Sequence, residues 1–170
     1  MGASSGAARQ APSAENDVVI ARLIDASRDR IFKAWTDPEY LLRWWAPRGF
    51  TTPSCKTEPR VGGIFLYCMR SPEGQEIWGR GVYREFVKPE RIVYTDSFAD
   101  PKGNVVSPAY YGMGAGIPVE TVVAVTLTER EGKTEFNLRH SAFESAKDRE
   151  DITQGWGEML DKLALELAKD

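Results

Sequence analysis

Residues 27–47, SRDRIFKAWTDPEYLLRWWAP, decide how the rest of the chain is read. Ser27 is a good N-cap, because its hydroxyl can accept from an orphan N–H of a first helical turn. Ile31, Phe32 and Trp35 then recur on one helical face. Asp37-Pro38 ends that helix and starts another. The residue before a proline is pushed out of the helical region, while Asp caps well and Pro suits the first helical position. Tyr40, Leu41, Trp44 and Trp45 continue the second helix until Pro47 and Gly49 close it. Two short helices therefore follow one another directly.

Outward from this pair the pattern changes to strands. Upstream, 18–24 (VVIARLI) is a β-branched run. Downstream, 51–58 reads as a weak strand and Gly62-Gly63 as a turn or bulge. The strong strand 64–69 leads to a hairpin turn at Ser71-Pro72-Glu73-Gly74. Strands at 76–87 and 91–98 flank Lys88-Pro89-Glu90, and 120–129 and 134–141 flank Glu131-Gly132. Between these pairs lies a long Gly/Pro-rich connection, 99–118, of the kind that is functional or mobile. The chain ends in a helix from Ser145, capped with Asp148. Ile152, Trp156, Met159, Leu160, Leu163 and Leu167 form its apolar stripe.

Tight turns between strands predict a mostly antiparallel sheet. Its apolar face needs a cover, and only the last helix is long enough. The two short helices then close one end, which makes the class α+β. Gly155 and Gly157 inside the last helix weaken it by about 1 kcal/mol each relative to Ala. Close approach to the sheet or a bend would account for them.

The 170 residues are 42% hydrophobic and 28% charged, which suits one globular domain that buries about 70% of its surface. A net charge of −3 argues against a nucleic-acid binder, and no apolar run approaches a membrane span. One His and two Cys leave no Cys/His zinc site, and no other metal or cofactor is called for. Cys55 and Cys68 read as free, partly buried thiols of a reducing, cytoplasmic setting. Residues 1–16 read as a disordered tail, with 17–170 as the single domain. The chain is rich in aromatics, with five Trp, six Tyr and seven Phe.

The segment FKAWTDPEYLLRWW, with Trp35, Asp37, Pro38 and Glu39 at its centre, resembles the opening of a START-like group within the SRPBCC superfamily. That group is the homologues of the activator of Hsp90 ATPase. Val61-Gly62-Gly63 ahead of Phe65 agrees with it. So do Gly81 and Glu85 ahead of Pro89-Glu90-Arg91-Ile92, and Gly155-Trp156 ahead of Leu160 and Leu163. The resemblance spans about residues 17–168. It implies the helix-grip (START-like, Bet v 1-like) fold: a curved antiparallel sheet wrapped on a long C-terminal helix, with a cavity between them.

Alternation places Phe65, Tyr67 and Met69 on one face of their strand. Tyr94, Asp96 and Phe98 share a face of theirs, as do Thr121, Val123, Val125 and Leu127, and Phe136, Leu138 and His140. The resemblance implies that these faces are concave. The expected ligand-binding set is then Phe65, Tyr67, Met69, Tyr94, Phe98, Val123, Val125, Phe136, Leu138 and His140, joined by Trp44, Trp156 and Leu160 from the helices. Plain core packing competes with this role at every one of them. Tyr67, Tyr94, Asp96 and His140 are the polar members that a mostly apolar ligand site needs.

His140 could act as a base if a partner such as Asp96 orients it. No nucleophile elbow or paired-carboxylate signature accompanies it. Gly112-Met113-Gly114-Ala115-Gly116 lacks the strand–helix context of a phosphate loop and reads as a flap over the cavity mouth, with Tyr110 and Tyr111. Ile64, Leu66 and Cys68 point away from Phe65, where a second copy of the chain (a homodimer) or the N-terminal segment could cover them.

The leading functional expectation is non-catalytic binding of a small hydrophobic or aromatic molecule in the cavity. The alternatives are a cyclase- or dehydratase-like enzyme using cavity His, Asp or Tyr groups, and a chaperone-associated partner as the family's name implies. Stress-response and regulatory roles also occur as expectations. Fold alone does not choose among them.

Overall fold

Ser27 accepts from the Arg30 N–H at 3.3 Å and Asp37 from the Glu39 N–H at 2.9 Å. These caps open the helices α1 (Arg28–Thr36) and α2 (Pro38–Trp44). The computed structural model describes residues 15–114 and 116–169. Its strands are β1 (Val18–Ile24), β2 (Thr51–Thr57), β3 (Ile64–Arg70), β4 (Glu76–Val87), β5 (Arg91–Ala99), β6 (Thr121–Arg130) and β7 (Lys133–Ser141). The final helix, α3 (Ala146–Ala168), begins where Ser145 accepts from the Asp148 N–H.

All seven strands form one antiparallel sheet, ordered β1-β7-β6-β5-β4-β3-β2. From β2 onward each strand pairs with the next. The α1–α2 pair carries the chain from one edge to the other, so the first and last strands become neighbours, with Val18 opposite His140. Register shifts near Tyr83/Glu85 and Thr51/Ser54 add local twist. The sheet curls into a half-barrel around α3, the helix-grip fold.

The inward faces are those that strict alternation predicts, because a period of two cannot slip without exposing every apolar side chain. Trp35 stands at the junction of the layers. Its ring lies 5.0 Å from Trp44, 5.2 Å from Trp45 and 5.8 Å from Phe136, and it stacks on Trp156 at 5.7 Å. The Trp44 indole N–H donates to the Ala34 carbonyl at 2.9 Å, which ties α2 back to α1. Lys162 of α3 donates to the carbonyls of Pro47 and Phe50, closing the end beyond α2.

One expectation is corrected here. The helix glycines are not held by close approach. A Cβ on Gly155 would meet nothing within 4 Å, and one on Gly157 only Arg22 Nη2 at 3.6 Å. The steric need for glycine lies instead at Gly63 ahead of β3 and at Gly79 and Gly81 on β4. The row Ile64, Leu66 and Cys68 is covered in part by the turn around Gly103, which sits on Leu66 and accepts from Arg80. Of the expected tail, residues 1–14 lie outside the described residues, whereas Asn16 is attached: its carbonyl accepts from the Phe143 N–H. Cys55 and Cys68 are free thiols, pushed up by burial to about 12 and about 11, which leaves them protonated and inert.

Candidate functional site: a cavity over Asp96 and His140

His140 sits near the end of β7, its side chain 8% exposed. The Trp156 indole N–H donates to its Nδ1 at 3.1 Å. That nitrogen is therefore an acceptor, and the ring proton is assigned to Nε2. Nε2 in turn donates to Thr121 Oγ1 at 2.8 Å, and the Thr121 hydroxyl donates to the Asp96 carbonyl at 3.2 Å. Burial holds the imidazole neutral, with its pKa down at about 3. Both ring nitrogens are engaged.

Asp96 lies opposite Thr121 on β5. Its Oδ1 accepts the Tyr67 hydroxyl at 2.9 Å. Its Oδ2 lies 3.9 Å from His140 Nε2, too far for a hydrogen bond. Burial pushes the carboxyl up to about 6, against the lowering effect of the Tyr67 hydroxyl. Tyr67 reaches Asp96 by lying over Gly79, its strand partner on β4. A Cβ on Gly79 would fall 2.1 Å from Tyr67 Cζ, so this tyrosine needs glycine beneath it.

These groups border a cavity of about 490 Å³, within the size range of small-molecule sites. Phe98 and Ser97 continue its β5 wall. Gly112, Met113, Gly114, Ile117, Pro118 and Val119 of the long connection form its rim, and Phe143, Asp148, Asp151 and Ile152 close it at the start of α3. The connection is anchored from inside. The Tyr111 hydroxyl donates to the Ala99 carbonyl and accepts from the Trp78 N–H, and its ring meets Phe98 at 5.8 Å. Tyr110 is exposed and does not line the cavity. Ala115 lies outside the described residues. A larger groove between α1 and β2 is more open and lacks convergent buried polar groups.

Of the residues named from sequence as ligand-binding, the structure brings Tyr67, Phe98 and His140 to the cavity wall. It places Trp44, Phe65, Tyr94, Val123, Val125, Phe136, Leu138, Trp156 and Leu160 in the packed core, with Met69 half-buried against it. The reason is the aromatic cluster of α1 and α2, which fills the space above those strands. The cavity lies instead beside Asp96, Thr121 and His140. Sequence reasoning set the connection that carries Met113 and Ile117 at the cavity mouth but passed over Phe143, Asp148, Asp151 and Ile152 as lining residues. One signal was available: Asp148, Asp151 and Ile152 are spaced i, i+3, i+4 and so share a helix face. Among the described residues no group of three or more His, Cys, Asp or Glu side chains could hold a metal ion, and no helix is long and apolar enough to cross a membrane.

The family described as Activator of Hsp90 ATPase homolog 1-like protein matches residues 25–168. Among solved structures, protein CV1439 from Chromobacterium violaceum is similar at 28% identity and a TM-score of 0.74, covering 92% of this chain and 99% of that one. The AHSA1 protein from Silicibacter pomeroyi is similar at 24% identity and a TM-score of 0.71, with 89% and 97% covered. A Nitrosomonas europaea protein, NE0264, is 23% identical with a TM-score of 0.71, with 92% and 96% covered. The last two show the fold alone. No curated protein matches the chain.

Proposed function

The chain belongs to the Activator of Hsp90 ATPase homolog 1-like family, and from that premise we propose that it binds a small, largely apolar molecule in the cavity over Asp96 and His140 without transforming it. The observation that carries this reading is the composition of the wall around about 490 Å³ of space. Phe98, Met113, Ile117, Phe143 and Ile152 supply apolar surface, while Tyr67 and Asp96 supply a few fixed polar atoms. Such a mixture orients a ligand through its polar end and holds it by area.

The state of His140 favours binding over acid–base chemistry. A general base needs a free nitrogen and a pKa near the working pH. Here both nitrogens are engaged, and burial leaves the ring neutral with little basicity. One observation supports a second reading. Asp96, at about 6 and hydrogen-bonded to Tyr67, has the pKa of a working acid–base group. A cyclase- or dehydratase-like reaction would therefore run through Asp96 and Tyr67 rather than His140. The chaperone-associated reading has only the family's name behind it.

The test is titration with N-phenyl-1-naphthylamine, a neutral apolar fluorophore. One equivalent should bind saturably, with the probe's emission enhanced. Ile152→Trp, which adds bulk to the half-buried wall of α3, should abolish binding while the protein unfolds as cooperatively as before. Probe at a hundredfold excess over its dissociation constant should raise stability by about 2.7 kcal/mol. Binding that is weak, unsaturable or indifferent to Ile152→Trp would remove the cavity as a ligand site.

A further inference from the structure

We propose that the cavity selects cationic ligands: an apolar or aromatic body carrying a protonated amine, whose N–H is accepted by Asp96 Oδ2. This rests on the reading of the cavity as a ligand site and adds the chemical class of what enters it.

The argument begins with which acceptor is left over. Tyr67 is committed to Asp96 Oδ1, because its ring is laid across Gly79 and its hydroxyl ends 2.9 Å from that oxygen. His140 Nε2 is committed to Thr121. The His140 donor is thus turned elsewhere and stands 3.9 Å from Asp96 Oδ2. Oδ2 has no hydrogen-bond partner among the described residues, and it is not one of the sealed, unpaired polar atoms of the interior. It therefore opens on the cavity that Asp96 lines, an acceptor awaiting a donor from the ligand.

The charge of the wall decides which donor. The first turns of α3 contribute Asp148 and Asp151 to the same wall. Lys147 neutralises Asp151 by an i,i+4 pair, but Lys147 does not border the cavity, and no Lys or Arg does. A ligand carboxylate would meet the carboxylates of Asp96 and Asp148, with no Lys or Arg on the wall to offset them, in a space partly shut off from water, where like charges repel more than they do in bulk solvent. A neutral hydroxyl could satisfy Oδ2. A protonated amine would do so by a charge-assisted bond, roughly twice as strong, with Asp148 adding to the attraction. The three carboxylates do not converge closely enough to hold a metal ion, so the charge belongs on an organic molecule. Phe98, Met113, Ile117 and Phe143 provide the apolar walls against which its body would lie.

Three probes that share one ring system test this: 2-(1-naphthyl)ethylamine, 2-(1-naphthyl)ethanol and 1-naphthylacetate. Each is titrated calorimetrically at low salt and about pH 8, where Asp96 is ionised. The amine should bind about tenfold or more tightly than the alcohol, and the carboxylate should bind weakest. Asp96→Asn should remove the amine's advantage, bringing amine and alcohol within about twofold of one another. Should Asp96→Asn not fold, the double variant Asp148→Asn with Asp151→Asn keeps the test open by narrowing the gap between amine and carboxylate. Equal binding of the three probes, or tighter binding of the carboxylate, would overturn the selectivity and leave the cavity standing. Binding of none would overturn the cavity reading and this inference together.

Discussion

The indole N–H of Trp156 in α3 points at Nδ1 of His140 in β7, 3.1 Å away. This is a buried polar tie between the gripped helix and the sheet. It also determines the histidine's tautomer, and through Thr121 it determines how β6 meets the Asp96 carbonyl. The same indole stacks on Trp35. One side chain therefore divides the space between helix and sheet, with packed aromatics on one side and the cavity on the other.

Trp156→Ala should cost about 3–5 kcal/mol, as a large core truncation does. Trp156→Phe separates the two roles. It keeps a ring against Trp35 but leaves His140 Nδ1 unpaired in a buried position, at a cost of about 1–3 kcal/mol. Urea unfolding of the two variants checks this. A Phe variant as stable as the parent would mean the hydrogen bond contributes nothing.

His140 should make the protein acid-sensitive. Its folded pKa is about 3, against an unfolded value near 6.5. Between those limits the unfolded chain takes up a proton that the native state refuses, so stability falls as pH drops from about 6.5 toward 3. The full effect is about 3–5 kcal/mol, at 1.36 kcal/mol per unit. His140→Gln should be less stable near neutrality yet lose less between pH 7 and 4 than the parent. Parallel acid profiles of the two proteins would show that His140 is not the titrating group.

Asp96 should act with the opposite sign. Its folded pKa is raised to about 6, so the native state holds a proton that the unfolded state has released, and ionising it in place opposes folding. Asp96→Asn should therefore raise stability by about 2–3 kcal/mol near pH 8. The gain should shrink as pH falls through 6 and vanish near 4, where the carboxyl is neutral in both states. Thermal unfolding of the variant against the parent across this range reads the difference directly. A loss of stability at pH 8 would mean the charge is stabilised by its surroundings instead.

Gly79→Ala should disturb the site from beneath the Tyr67 ring. The new Cβ would fall within 2.6 Å of three Tyr67 atoms, forcing the ring aside at about 1–3 kcal/mol of overpacking. The Tyr67 hydroxyl would leave Asp96, and since that bond lowers the carboxyl's pKa, its loss should move the titration above about 6. Carbon-detected NMR of the carboxyl group measures it. An unmoved titration would show that the tyrosine is not held by the glycine.

Much of this architecture can be read from residues alone, because it depends on local rules. Ser27, Asp37-Pro38 and Ser145 mark helix starts by capping chemistry that acts within three residues. The inward rows, such as Val123 with Val125 and Phe136 with Leu138, follow from the pleat. Four of the expected inward side chains, Tyr94, Val123, Leu138 and His140, look alike at that level. What separates them is the distance across a curled sheet to α1, α2 and α3. The buried cluster packs over the first three, while the cavity remains open beside His140. The fate of Asp96 Oδ2 is likewise invisible in the pattern, since it depends on Tyr67 crossing Gly79 and on Trp156 capturing the histidine. Sequence therefore determined the elements, their faces and the family. Only the tertiary structure decided where the core ends and the cavity begins, because that boundary is set by the volumes of side chains brought together from distant parts of the chain.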